Sequence, residues 1–141
     1  MTAKLILAAT LAAAALTGCS TAPVSPGQAR SVPADRVYLP VYLQASPDRS
    51  ATVYIARDKG FSGSGCSHDI FVDKEKVLSI RQAESAELHM PPGAHFIKLE
   101  TGGGLCPNVS TSQNVTLEAG VRQEYRILLP SDGSLRLTRE Q

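Results

Sequence analysis

The chain has 141 residues, of which 43% are hydrophobic, and its 14 Lys and Arg against 13 Asp and Glu give a formal net charge of +1. This length suits one domain with a single small core and a short additional segment. A chain this close to neutral has no positive electrostatic field that would attract nucleic acid, and it has no long run of basic residues. We therefore expect no nucleic-acid partner.

The first predicted element is an apolar run behind a single positive charge. Lys4 precedes Leu5–Leu16 (LILAATLAAAAL), and then come Thr17, Gly18 and Cys19. About 12 apolar residues fit the h-region of a signal peptide, whereas a helix that spans a bilayer needs roughly 20. Two small residues before a cysteine also suit the cleft of a signal peptidase. We therefore expect this segment to be a secretory signal that is cleaved.

The four residues Leu16–Cys19 (LTGC) resemble the bacterial lipobox. The resemblance implies that residues 1–18 are a cleaved signal helix and that Cys19 becomes the mature N-terminus, with a covalent lipid that carries acyl chains such as palmitate. Two or three acyl chains hold a protein on a bilayer stably, whereas one does so only marginally. Ser20 stands where inner-membrane lipoproteins carry Asp, which implies the outer membrane of a Gram-negative cell, on its periplasmic side. The alternative is an ordinary secretory signal with a cysteine near its end by chance.

The segment after the predicted cleavage site is polar. Residues 19–36 are rich in Ser, Thr, Ala, Pro and Gln, and their only large apolar side chains are Val24 and Val32. Such a composition cannot form a core of its own, so we predict a flexible, disordered tether. Val37–Leu43 (VYLPVYL) is strand-like, but Pro40 lacks a ladder donor and restricts the run to a sheet edge or a first contact.

From residue 50 onward, short runs rich in β-branched and aromatic residues are separated by turn residues such as Pro91-Pro92-Gly93. We predict that residues 37–141 form an all-β domain, an antiparallel β-sandwich or small barrel of about seven or eight short strands. The predicted strands are Thr52–Arg57, His68–Val72, Lys76–Arg81, Ser85–Met90, Ala94–Thr101, Ser110–Leu117, Arg122–Leu129 and Ser134–Thr138.

Alternation within these strands predicts which side chains face the core. His95 begins one such face, and we place its ring at the rim because it stands at the start of its strand. The predicted core positions are Ile97, Leu99, Val115, Leu117, Tyr125, Ile127 and Leu129.

Two cysteines remain once Cys19 is acylated, and we expect the cell envelope to preserve disulfides. Cys66 and Cys106 lie in loops rich in Gly, Ser and Pro, and neither belongs to a C-x-x-C motif, so we predict that they pair and join the two loops. Closing a loop of roughly 40 residues stabilises a fold by about 4 kcal/mol in the chain-entropy treatment. A reactive thiol or a pair of metal ligands is the alternative.

Two longer runs resemble a family of small bacterial lipoproteins with an uncharacterised β-sandwich, related to PEGA-type surface modules. They are Val72–Leu99, which contains VDKEKVLSIR and LHMPPGAHFIKL, and residues 117–128 (LEAGVRQEYRIL). The resemblance covers about 90 residues and implies the sandwich fold, permissive turns at Gly93 and Gly120, and a packed Tyr125. It brings no catalytic residues. The cysteine pair and the glycine-rich loop before it are not part of the family pattern.

We expect no enzymatic activity, because motifs for catalysis are missing. Gly63-Ser64-Gly65 is not a G-x-S-x-G nucleophile elbow, and Gly102–Gly104 leads into a cysteine and a proline rather than a phosphate-binding helix. Glu84 and Glu87 are predicted to be solvated charges rather than an acid and base pair.

A metal site would require His68, His89 and His95 to converge. Structural zinc usually needs four ligands at tighter spacing, and a disulfide would remove the nearby thiolate of Cys66, so we predict no metal and no cofactor other than the covalent lipid.

Binding is the remaining class of function. The loops Gly60–His68 and Gly102–Asn108, joined by the disulfide, are predicted to form a rigid patch at one end of the sandwich, and exposed edge strands can pair with another chain. The candidate binding residues are Phe61, His68 and Leu105; alternatively, Phe61 and Leu105 fold back over the sandwich end.

We expect a non-enzymatic, membrane-anchored lipoprotein that binds an envelope protein as an accessory or scaffold module. The rival hypothesis is a periplasmic inhibitor or sensor that uses the joined loops, and a metal-binding protein is the third.

Overall fold

The structure is a computed structural model that describes residues 21–101 and 105–141. The predicted signal peptide and the lipidation site Cys19 therefore lie outside the described residues. The predicted all-β class is confirmed, because two β-sheets with a sandwich-like arrangement share one hydrophobic core. In the described residues, no helix has the length and apolarity needed to cross a bilayer.

The described residues form nine short strands, and seven of the eight predicted strands begin and end within a residue of their predicted bounds. The last strand begins two residues later than predicted, and the two-residue strand β1 was not predicted. The strands are β1 (Arg30–Ser31), β2 (Ala51–Arg57), β3 (His68–Val72), β4 (Glu75–Ile80), β5 (Glu84–Met90), β6 (Gly93–Thr101), β7 (Val109–Leu117), β8 (Arg122–Leu128) and β9 (Arg136–Arg139).

The first sheet has the strand order β1-β5-β2-β8-β9 and the second has the order β4-β3-β6-β7. The second sheet is antiparallel, as predicted, but the first is mixed, since β8 runs parallel to β2 and β1 runs parallel to β5. Parallel neighbours need a long crossover connection. Between β2 and β8 the chain builds the whole second sheet and β5, and this excursion returns β8 to the side of β2 in the same direction.

Left-handed backbone conformations occur at the turns between strands. Asp73 and Lys74, with φ of 48° and 78°, join β3 to β4 as a two-residue turn with both central residues left-handed. Gly93 and Gly120 have φ of 128° and 73°. The predicted core positions are also buried: Ile97, Leu99, Val115, Leu117, Tyr125, Ile127 and Leu129.

The predicted tether is the clearest difference between sequence and structure. Within the described part of residues 19–36, Ala22 forms a two-way backbone bridge with Lys59, Val24 is buried, and Arg30–Ser31 form β1. The composition correctly excludes a core made by this segment alone. It does not exclude packing on a core supplied by the rest of the chain, which is what the structure has.

Val37–Leu43 is not a strand. Short 3-10 helices cover Ala34–Arg36 and Pro40–Leu43, and one bridge joins Val37 to Leu78 on the outer edge of β4. The physical reason is the proline, which has no N–H to continue the ladder.

Candidate functional site

The disulfide joins the two loops predicted from the sequence. Cys66 and Cys106 are bonded with their Cα atoms 5.8 Å apart, which confirms the predicted pairing. Disulfides persist outside the reducing cytosol, so the bond indicates an extracytoplasmic location. The loop after β2 is thereby fixed beside the loop before β7.

Arg57, the last residue of β2, is hydrogen-bonded to the loop that follows β2 and contains Cys66. It is 2% exposed, and its guanidinium donates hydrogen bonds to the carbonyl oxygens of Cys66 and of Gly63, the latter at 2.6 Å. No ion pair joins Arg57 to a carboxylate in the part of the chain that the structure describes. Burial lowers the pKa of Arg57 to about 10, partly offset by the charge of Glu84, so it remains a cation at neutral pH. The only sign of this role in the sequence is a positive charge at the end of an apolar strand.

His68, predicted as an exposed binding residue, is instead buried, so its ring is not available at the surface. It is fully buried, its Nδ1 is hydrogen-bonded to Oγ1 of Thr101, and its Nε2 has no partner among the described residues. Burial, together with the charge of Arg57, lowers the pKa of His68 to about 3. The alternation of β3 directs this ring into the protein, where it supports the disulfide-joined end as a neutral side chain.

Phe61 and Leu105 do not fold back over the sandwich. Phe61 is 84% exposed and Leu105 is exposed throughout. Leu105 directly precedes Cys106, so the disulfide holds its backbone near Cys66. We call Phe61 and Leu105 the loop tips. Two large apolar side chains so exposed on adjacent loops make this end of the domain a candidate contact surface.

The chain enters the domain beside the loop tips. Ala22 donates to the carbonyl of Lys59 at 2.8 Å and accepts from its N–H at 3.0 Å, and Thr21 lies against Gly60. A surface depression of about 550 Å³ adjoins this entry point. Its lining contains the cations Arg30 and Lys59 but no carboxylate.

A second candidate site is the outer edge of β7. Three other sheet edges are blunted: β1 has two residues, β9 has four including Arg136 and Arg139, and the edge of β4 is capped where Tyr38 and Leu39 donate to the carbonyl of Val77. β7 has nine residues (VSTSQNVTL), with no charge and no proline, and no described strand pairs with its outer edge. Natural sheets usually protect such an edge by charge, proline or a cover.

The peptide groups that β7 offers outward can be assigned. The carbonyl of Thr116 accepts a hydrogen bond at 2.8 Å from Gln123, which belongs to the other sheet, so it points away from β6. Because peptide directions alternate along a strand, Ser112 and Asn114 also direct their N–H and C=O groups outward. The sequence signal was the run of Ser, Thr, Gln and Asn on both faces of this strand.

The other histidines have partners of their own. His95 is hydrogen-bonded to Asp73 and to the carbonyl of Pro91, each at 2.7 Å, and His89 lies 3.7 Å from Glu87. Within residues 21–101 and 105–141, no group of three His, Cys, Asp or Glu is arranged to hold a metal. The three histidines therefore do not form the metal site that was weighed from the sequence.

Glu84 is also not the solvated charge that was predicted. It is 5% exposed and accepts hydrogen bonds from the guanidinium of Arg36 and from the N–H of Arg81. Burial acts to raise the pKa of Glu84, but these hydrogen bonds and the charge of Arg36 outweigh it and lower the pKa overall. Glu87 is exposed, as predicted, and pairs with Arg122.

Comparison with known proteins found no matching family profile, no matching curated protein and no matching solved structure. The resemblance to lipoproteins with a PEGA-like sandwich therefore stays a prediction, and the site has to be interpreted from its own geometry.

Proposed function

We propose that the protein is a non-enzymatic envelope lipoprotein, anchored through a lipid on Cys19 in the outer membrane, which binds another envelope protein as an accessory or scaffold module. The observation that carries the binding role is the outer edge of β7, with which no strand of the described residues pairs. A partner strand added there would gain main-chain hydrogen bonds, while the exposed side chains of the strand would set specificity.

The anchor is supported by sequence and by compartment. The Leu16–Cys19 motif supplies the lipobox resemblance, and the Cys66–Cys106 bond fits the oxidising envelope in which such proteins reside. No catalytic residue and no cofactor other than the lipid enter this proposal.

The anchor is tested by mass spectrometry of the N-terminal peptide of the full-length protein from membranes of a Gram-negative host. We expect a diacylglyceryl group on Cys19 and release of a Cys19→Ala variant from the membrane fraction. An unmodified Cys19 in a membrane-free protein would contradict the anchor.

The β7 edge is tested by a photo-crosslinking residue at Asn114, with a second probe at Thr138 on the short edge strand β9 as a positional control. We expect the Asn114 probe, and not the Thr138 probe, to give one crosslinked envelope protein. Ser112→Pro removes an outward donor without removing a bond to β6, so it should abolish the crosslink, while Ser112→Ala, which keeps the donor, should retain it. Equal crosslinking by the Pro and Ala variants would contradict strand addition.

A periplasmic inhibitor or sensor is the second candidate, and the exposure of Phe61 and Leu105 favours it. In that function the loop tips would enter a hydrolase cleft or cover a small ligand. A partner crosslinked from the loop tips, and not from β7, would favour this candidate over the scaffold role.

A further inference from the structure

We infer that the loop tips Phe61 and Leu105 dock on the phospholipid surface beside the lipid anchor, so that the disulfide-joined end of the domain faces the membrane. This inference rests on the proposed acylation of Cys19 and deepens it, because it assigns the orientation of the domain. The three observations that carry it are the position where the chain enters the domain, the exposure of the loop tips and the charge around them.

The first observation is the short distance between the anchor and the domain. Ala22 is tied to Lys59 by two backbone hydrogen bonds and stands three positions after Cys19, with only Ser20 and Thr21 between them. Even fully extended, three residues reach at most about 11 Å. The polar headgroup layer is itself about 5–8 Å thick on each side of the bilayer. An acylated Cys19 therefore holds this end of the domain against the headgroups, and a tether long enough to lift the domain away is not available.

The second observation is that two apolar side chains are exposed at this end of the domain. Phe61 follows Lys59 by two residues and is 84% exposed. Leu105 is exposed on the loop that Cys106 holds beside Cys66. An exposed aromatic and an exposed leucine at a membrane surface gain apolar contact by entering the boundary between headgroups and acyl chains.

The third observation is charge. Arg30 and Lys59 line the depression beside the entry point with no carboxylate in its lining, and neither cation forms an ion pair with a described residue. Asp58, which lines a neighbouring depression with Thr21, is buried and paired with Arg126, so it does not offset these cations at the surface. Cations next to apolar tips complement anionic phospholipid headgroups. The arrangement is that of a peripheral membrane contact held close by a covalent lipid.

The restraints on the loop that carries Phe61 make the contact effective. Phe61 lies in a loop held by the disulfide and by hydrogen bonds from Arg57 to Gly63 and Cys66. A side chain on such a loop loses little additional conformational freedom when it docks, so less of the gain from apolar burial is offset.

The test uses tryptophan fluorescence, because the chain contains no tryptophan. Full-length acylated protein carrying Phe61→Trp is reconstituted in vesicles of phosphatidylethanolamine and phosphatidylglycerol with brominated acyl chains, which quench a nearby indole. Val121→Trp is the matched control. Val121 is also exposed, but its carbonyl accepts from Thr52, at the end of β2 opposite to Arg57, about 17 Å away.

We expect the Phe61→Trp protein to lose about half or more of its emission in brominated vesicles and to shift to the blue, while the Val121→Trp protein changes little. Lys59→Gln in the Phe61→Trp background should reduce the ratio of docked to free loop by about fivefold on these anionic vesicles. The same substitution should have no effect on phosphatidylcholine vesicles.

Acylation of the sample is measured by mass spectrometry in the same experiment, which separates two failures. If Cys19 is acylated and both tryptophans are unquenched, the docking is overturned while the anchor stands, and the loop tips are free for a protein partner. If Cys19 is not acylated, the anchor and the docking that rests on it both fail.

Discussion

The guanidinium of Arg57 donates a hydrogen bond to the carbonyl oxygen of Cys66, so a buried cation and a disulfide hold the same residue of the loop. Neither contact lies within the sheet ladders. Together they determine how the loop that carries Phe61 leaves the end of β2.

Removal of the disulfide should destabilise the domain without changing its fold. The bond closes a loop with a sequence separation of 40, for which the chain-entropy treatment gives about 4 kcal/mol. We expect Cys66→Ala/Cys106→Ala to lower the free energy of unfolding in urea by this amount, and dithiothreitol to do the same to the native chain. Dithiothreitol should leave the double variant unchanged; a further loss there would point to another reducible bond.

The charge of Arg57 should contribute to the low pKa of His68. The charge of Arg57 opposes protonation of the buried imidazole, although burial is the larger effect. Arg57→Met removes the charge, so the pKa of His68 measured by NMR should rise but stay below 6.5. Arg57→Lys keeps the charge and loses the forked donor geometry. It should leave that pKa low and destabilise the protein by about 1–3 kcal/mol. An identical pKa in the Met variant would show that burial acts alone.

Acid should destabilise the domain through His68. Unfolded His68 binds a proton below pH 6.5, whereas folded His68 does so only below about pH 3, so between these values acid favours the unfolded state. The slope for one such group is about 1.4 kcal/mol per pH unit, which gives a loss of about 2 kcal/mol between pH 7.5 and pH 5. Urea unfolding of the native chain and of His68→Asn at both pH values measures this loss. If the free energy of unfolding changed equally with pH in the two proteins, His68 would not be the source of the acid sensitivity.

Gly63 should not tolerate a side chain. Its φ is +62°, and a Cβ there would clash with Cδ2 of the buried Leu129. We expect Gly63→Ala to cost about 2 kcal/mol or more, from backbone strain together with overpacking. Gly65 lies two residues later with nothing within 4 Å of its Cβ position, so Gly65→Ala should change stability by less than about 0.5 kcal/mol. Equal effects in thermal unfolding would contradict the close packing against Leu129.

The Arg36–Glu84 pair should hold the N-terminal segment on the domain. Its side chains are 14% and 6% exposed, so Glu84→Gln leaves the Arg36 cation without its partner and should cost about 3 kcal/mol. Trypsin cleavage after Arg30 should then become faster than in the native chain. Glu87→Gln is the control, because Glu87 is 42% exposed in its pair with Arg122 and should contribute less than about 1 kcal/mol. Rapid cleavage after Arg30 in the native chain would contradict the packed segment.

The sequence alone determined the elements that depend on neighbours along the chain. Strand positions and the core faces of β6 and β8 follow from alternation along the chain, which is a local property. The pairing of Cys66 with Cys106 followed from their loops and from the number of cysteines.

Only the tertiary structure decided which elements become neighbours. Several features depend on contacts between residues distant in sequence. They are the parallel pairing of β2 with β8, the packing of residues 21–36, the burial of His68 and Glu84, and the outer edge of β7, with which no described strand pairs. Periodicity says which face of a strand is apolar, but not which strand lies beside it or what covers its end. The candidate site consists largely of such ends and edges. This is why Phe61 and Leu105 could be named from the sequence, whereas the contacts of Arg57 and the burial of His68 could not.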